Sequence, residues 1–199
     1  METAIIYDEV FDAQQHFRLI LDSMARPGKI NIIPAIEIDE PTGFNNASAL
    51  IAFALLNTDA SFCTTKGKAV AAFIALHTSA NKAELQNADL VFVTGLEESD
   101  FIAQLKTGTL PYPENSATII ADVTFISNEP ISNSLQITLK GPGVKETETV
   151  HVAGLNAAIL DELKEQNFEF PLGIDLILTD SRNRMICIPR SNDFSYVQL

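Results

Sequence analysis

Apolar residues recur at Phe17, Ile20, Leu21 and Met24, a spacing that draws one stripe along a helix. Asp12 followed by Gln15 gives this segment a capping-box-like start. Arg26-Pro27-Gly28 stops it, because proline lacks a backbone N–H and disfavours helical geometry in the residue before it. The pattern predicts a helix over 12–25 and a strand over 30–33. Residues 34–46, with their Pro, Gly, Asn and acidic residues, form an irregular connection. A mostly buried helix follows over 47–56, then a short strand over 61–65, a second apolar helix over 69–77 and an inner strand over 89–94 (DLVFVT).

In the second half, ATIIADVTF (117–125) and LQITLK (135–140) are the clearest strands. In the latter, Leu135, Ile137 and Leu139 alternate with Gln136, Thr138 and Lys140, so one face is wet. With a turn at 128–133 between them, the two are expected to pair antiparallel, and Thr149–Val152 adds a third strand after the Gly141-Pro142-Gly143 turn. Residues 156–165 carry Ile159, Leu160 and Leu163 on one face and acids opposite, an amphipathic surface helix. Strands over 176–179 and 185–188 complete the reading. The expected fold is α/β, one domain over 1–199, with a mixed sheet and flanking helices.

The 199 residues, 46% hydrophobic and 20% charged, suit one domain with a sizeable core. A formal charge of −13 repels nucleic acid and anionic membranes. The opening METAIIYDEVFDAQQHF does not read as a signal peptide, and the longest apolar stretches fall short of the roughly 20 residues of a membrane span. A cytoplasmic protein is expected. Cys63 and Cys187 sit in apolar runs (SFCTT, MICIP) and read as core residues, forming neither a disulfide framework nor a zinc site.

His16, His77 and His151 fall on three different elements without a carboxylate or Cys at metal-ligand spacing. HExxH, GxSxG and GxxxxGK[ST] are absent. Gly141-Pro142-Gly143, between Lys140 and Lys145, suggests a phosphate nest, but Pro142 lacks one of the donors a nest uses and a tight turn explains the motif equally. Lys106-Thr107-Gly108-Thr109 raises the same question, and its Gly108 is equally well explained as a helix stop after Leu105. Arg18 and Arg26, eight residues apart, face one side of the first helix and form either an anion grip or local ion pairs, Asp22 lying at i+4 from Arg18. Asp175 reads as a turn cap rather than a general base, since no cation or second acid is placed near it. The candidate ligand contacts are therefore Arg18, Arg26, Lys140 and Lys145; no catalytic, cofactor or metal residue is assigned.

Several segments, taken together and in order, resemble one family: FRLILDSMARPGKI (17–30), LKTGTLPYPENSATII (105–120), ITLKGPGV (137–144), FPLGIDLILTD (170–180) and IPR (188–190). The chain is similar to the H subunit (PhnH) of the bacterial carbon–phosphorus lyase core complex. The resemblance implies a part in organophosphonate use, in which a phosphonate is joined to the ribose triphosphate of ATP in place of adenine. It implies a subunit without turnover of its own, needed with the G, I and L proteins for that step. It also implies a fold related to the fold-type-I pyridoxal-phosphate transferases without the cofactor, a homodimer in isolation, and assembly with the G, I and J subunits. No Schiff-base lysine maps onto this chain. The alternative expectation is a protein or enzyme that holds a phosphorylated ligand by itself.

Overall fold

The computed structural model describes residues 7–199, and at its centre is a sheet whose inner strands bury nearly every side chain. The first half of the chain contributes α1 (Phe11–Ala25), β1 (Asn31–Ile32), α2 (Asn46–Leu55), β2 (Ser61–Thr64), α3 (Lys68–Thr78), β3 (Asn81–Lys82) and β4 (Leu90–Thr94). A 3₁₀ segment (Ser99–Gln104) leads to β5 (Thr107–Thr109), β6 (Tyr112–Ser116), β7 (Thr118–Asp122) and β8 (Phe125–Ser127). The remainder supplies β9 (Ser134–Lys140), β10 (Glu148–Ala153), α4 (Ala157–Gln166), β11 (Asp175–Thr179), β12 (Arg184–Ile188) and β13 (Asp193–Gln198).

The large sheet has the order β1-β12-β11-β7-β4-β2-β3. From β11 to β3 its strands run parallel, while β12 is antiparallel to both β11 and β1. Successive side chains of a strand point to opposite faces, so parallel strands covered on both sides read as continuous apolar runs. Phe92, Ile120, Ile177 and Cys187 meet Leu50, Ile51, Val70 and Ile74 of α2 and α3 on one face. Val91, Ile119, Leu176 and Ile186 face Ile137, Val150, Val152 and Ile159 on the other. That second layer is an antiparallel sheet, β13-β9-β10-β8, flanked by α4. A small β5–β6 hairpin stands apart from both.

The predicted helices and most strands recur with ends shifted by a residue or two, but the second-half pairing does not. Residues 117–125 are not one strand paired with 135–140. They split into β7, in the middle of the large sheet, and β8, at the edge of the small one. The chain crosses between layers at Val123 and Thr124, whose N–H groups donate to Thr179 O and Ala153 O. Nothing but a change of partners marks this step, so it looks like uninterrupted strand sequence. Two glycines make the crossing possible: a Cβ on Gly95 would lie 2.3 Å from Gly154 O, and one on Gly154 (φ +78°) 2.2 Å from Thr124 Oγ1. The expected mixed sheet with flanking helices is present as the large sheet, and two further sheets, which were not expected, stand beside it. The third expected strand is real, β10 pairing antiparallel with β9. β13 and the β5–β6 hairpin were not anticipated.

The cap of α1 also lies one turn earlier than expected. Asp8 accepts from the N–H groups of Val10 and Phe11 and Asp12 accepts from Asp8 N, each at 2.8 Å, a reciprocal box in which Gln15 takes no part. Among the described residues no helix is long and apolar enough to cross a membrane, and no group of His, Cys, Asp and Glu is arranged to hold a metal. Cys187 is fully buried and Cys63 half-buried, and burial pushes both thiols above the ordinary cysteine range.

His16 lies on the buried face of α1 with Ile20 and Ser23, its ring nitrogens shut off from water and the Pro34 carbonyl within reach as an acceptor. Burial holds its pKa below the usual histidine value, against the opposing pull of Asp12. The unfolded chain therefore takes up a proton that the folded chain refuses, and stability present above about pH 6.5 is lost as the pH falls below it. The thermal midpoint should drop between about pH 7.5 and 5.5, and His16→Met should shrink that drop. An undiminished drop in the variant would assign the effect elsewhere.

Candidate functional site

In open α/β sheets, ligands bind in the crevice beyond the carboxyl ends of the parallel strands. Here β2, β4, β7 and β11 end there at Thr64, Thr94, Asp122 and Thr179. Asp122 accepts from Lys66 Nζ (2.7 Å), Asn45 N (2.9 Å), Thr179 Oγ1 (2.9 Å) and Ser48 Oγ. Ser48 and Thr179 also touch each other at 2.8 Å. The side chains of Lys66 and Asp122 are only 3% and 9% exposed, so this polar cluster is closed to solvent. Both charges are taken up in holding the α2 start, β11 and the β2–α3 loop against β7. Asp180, the residue after β11, repeats the device. Its buried carboxylate accepts from Ile126 N (3.0 Å), Arg182 N (2.9 Å), Arg184 N (3.1 Å) and Arg184 Nε (2.7 Å), tying β8 to the large sheet.

The four predicted cationic contacts do not converge on this crevice. Arg18 is exposed along a groove of about 430 Å³ between α1 and β1, with Phe11, Gln14, Leu19 and Asn31. Its expected partner Asp22 is occupied by Arg26 at 2.8 Å and Lys29 at 2.7 Å instead. The Lys29 bond leads the causes that hold the Asp22 carboxyl below its ordinary value. Lys140 ends β9 on the surface. Only Arg26 and Lys145 come together, lining one hollow of about 380 Å³ with Lys29, Asn128 and Val144.

The motif residues have structural work. Arg190 binds Asp175 through its guanidinium (3.0 Å) and its backbone N–H (2.8 Å), and donates to Pro113 O (2.7 Å) and Gly173 O (3.2 Å). One side chain thus joins LPYP, FPLGID and IPR, and supplies Asp175 with the cation that sequence spacing did not place beside it. Asn167 holds both backbone groups of Ile174 at 3.0 and 2.7 Å, and a Cβ on Gly173 (φ +138°) would lie 2.3 Å from its Oδ1. Around this knot Leu110, Tyr112, Phe168 and Phe170 stand exposed, and Val10, Phe17 and Leu21 form a second exposed apolar row on α1.

Sequence reasoning missed Lys66, Asp122, Asp180 and the ion pair of Lys29 with Asp22. Two of them carried a signal: TIIAD and LILTD are apolar strands that each close on an acid, although the second acid follows its strand. Lys66 carried none, since its partner lies 56 residues away in sequence.

The family profile described as "Bacterial phosphonate metabolism protein (PhnH)" matches residues 5–195. The chain is 31% identical over 190 residues to "Alpha-D-ribose 1-methylphosphonate 5-triphosphate synthase subunit PhnH" of Rhizobium meliloti (strain 1021), covering 92% of this chain and 90% of that protein. It is 24% identical over 178 residues to "Putative C-P lyase subunit protein HtxG" of Stutzerimonas stutzeri, covering 89% and 83%.

Breaking a buried ion pair leaves an uncompensated charge and costs about 3–5 kcal/mol. Asp122→Asn should destabilise on that scale in urea unfolding, and Lys66→Met combined with Asp122→Asn should cost less than the two single changes added. Strict additivity would show that the two side chains act independently. Arg190→Lys should also destabilise, because an ammonium cannot reproduce the planar fork that reaches Asp175, Pro113 and Gly173 together.

Proposed function

The chain belongs to the bacterial phosphonate metabolism protein (PhnH) family, and from that premise we propose that it is a non-catalytic subunit of a carbon–phosphorus lyase complex. In this reading it is one cytoplasmic domain over residues 1–199 that dimerises with itself in isolation and assembles with the G, I and J subunits. With the G, I and L proteins it serves the step that joins the ribose triphosphate of ATP to a phosphonate. Its fold is a relative of the fold-type-I pyridoxal-phosphate transferases that works without the cofactor.

The observation that carries this reading is similarity along nearly the whole chain to proteins named as subunits. Two features of the structure support it. The crevice at the strand carboxyl ends is filled by a satisfied, closed cluster, and its lysine is bound to Asp122 rather than free to form an imine. The segments that carry the family resemblance hold turns and layers together and leave large apolar side chains outside, as a chain made to be covered by partners does. Exposed Tyr112, Phe168 and Phe170 are of the aromatic types that interface cores favour.

Co-expression with the G, I and J subunits, followed by size-exclusion chromatography with light scattering, tests the proposal. One stoichiometric complex is expected, together with a dimer for the chain alone. Phe168→Asp with Phe170→Asp should weaken association at least tenfold while leaving the fold intact by circular dichroism. A chain that stays apart from an assembled G–I–J complex and turns over ATP alone would overturn the reading.

A further inference from the structure

We propose that the hollow between the Arg26-Pro27-Gly28 turn and the Gly141–Val144 turn is a binding site for a phosphoryl or phosphonyl group. Three cations line it, Arg26, Lys29 and Lys145, against Glu148 as the one carboxylate among its described lining residues. Arg26 and Lys29 share a single counter-charge, Asp22, at 2.8 and 2.7 Å. Lys145 has no ion-pair partner among the described residues. In a chain with 13 basic and 26 acidic residues, such a concentration runs against the overall field and makes a local basin for an anion.

The turn beside the hollow is firmly held. The carbonyls of the Gly141 turn are occupied: Asn192 Nδ2 donates to Lys140 O (3.1 Å) and Pro142 O (3.0 Å), and Val144 N donates to Gly141 O (3.1 Å). The two turns are also locked together. A Cβ on Gly143 (φ +81°) would lie 2.2 Å from Ala25 O, and one on Gly28 (φ +84°) 2.7 Å from Glu148 Cγ, so only glycine permits this approach. The cations therefore stand on a preformed frame. At about 380 Å³ the hollow accommodates a small phosphorylated or phosphonylated molecule. Among the cations singled out by sequence, Arg26 and Lys145 belong to this site, whereas Arg18 and Lys140 do not.

Calorimetric titration of the purified chain with inorganic pyrophosphate and, separately, with methylphosphonate at low ionic strength tests the site. Saturable binding of one equivalent is expected. Preference for pyrophosphate assigns a phosphoryl ligand, and preference for methylphosphonate a phosphonyl one. Lys145→Ala, at an exposed turn residue, should weaken binding at least tenfold, and Lys82→Ala, on the far sheet edge, should leave it unchanged. Backbone amide shifts in NMR should move at Asn128, Gly143 and Lys145. Absence of binding for both probes, or equal binding by Lys145→Ala and the parent chain, overturns the proposal. Lys145→Ala should still assemble with the G, I and J subunits, so loss of this site and loss of the assembly role are separate results.

Discussion

A carboxylate closed off from water at the end of β7 constrains everything around it. Removing an ion from water costs several kcal/mol, and the cost is met only if each lone pair finds a donor. Asp122 finds them in four places: a lysine from the β2–α3 loop, the backbone at the start of α2, and hydroxyls from α2 and β11. None of these segments can shift without leaving the charge bare. The layer of helices, the order of the parallel strands and the closure of the strand-end crevice are thus parts of a single electrostatic requirement. The crevice that hosts chemistry in many α/β proteins is used here to hold the fold together.

The second sheet depends on similar devices in a different place. Asp180 secures β8, Arg190 joins the hairpin and the loop before β11, and Asn192 pins the turn between β9 and β10. Each uses one polar side chain to satisfy several backbone groups that loops would otherwise leave unpaired. The motifs around them are rich in glycine and proline because backbone meets backbone at these junctions, as at Gly143 against Ala25.

Elements set by local pattern were legible in the sequence. The span of α1, the alternation of β9 and the three buried leucine and isoleucine positions of α4 lie where periodicity places them, but α1 buries His16, Ile20 and Ser23 and leaves Phe17 and Leu21 of its apolar stripe exposed. Partner choice was not legible. Val123 and Thr124 look like strand interior, yet there the chain leaves one sheet for another. The candidate site divides the same way. Arg26 and Lys145 were visible as cations beside glycine turns, and Lys29 stands just past Arg26, but spacing does not bring Lys145 to those two, and Lys66 meets Asp122 only through parallel pairing. Distance along the chain hides such pairs from any reading of spacing.

The position of β1 at the rim of the large sheet has a consequence for how the protein is made. β1 is complete by residue 32, yet its one strand partner among the described residues, β12, begins at residue 184. β12 in turn is joined to the parallel strands only through β11, which starts at residue 175. During synthesis the helices can cover Phe62, Phe92 and Ile120 as β2, β4 and β7 emerge, whereas Ile177, Met185 and Cys187 of the same apolar cluster arrive with the last segments to leave the ribosome. A chain cut short before residue 175 lacks β11 and β12 and leaves that part of the cluster uncovered, apolar surface of the kind that proteases and chaperones act on.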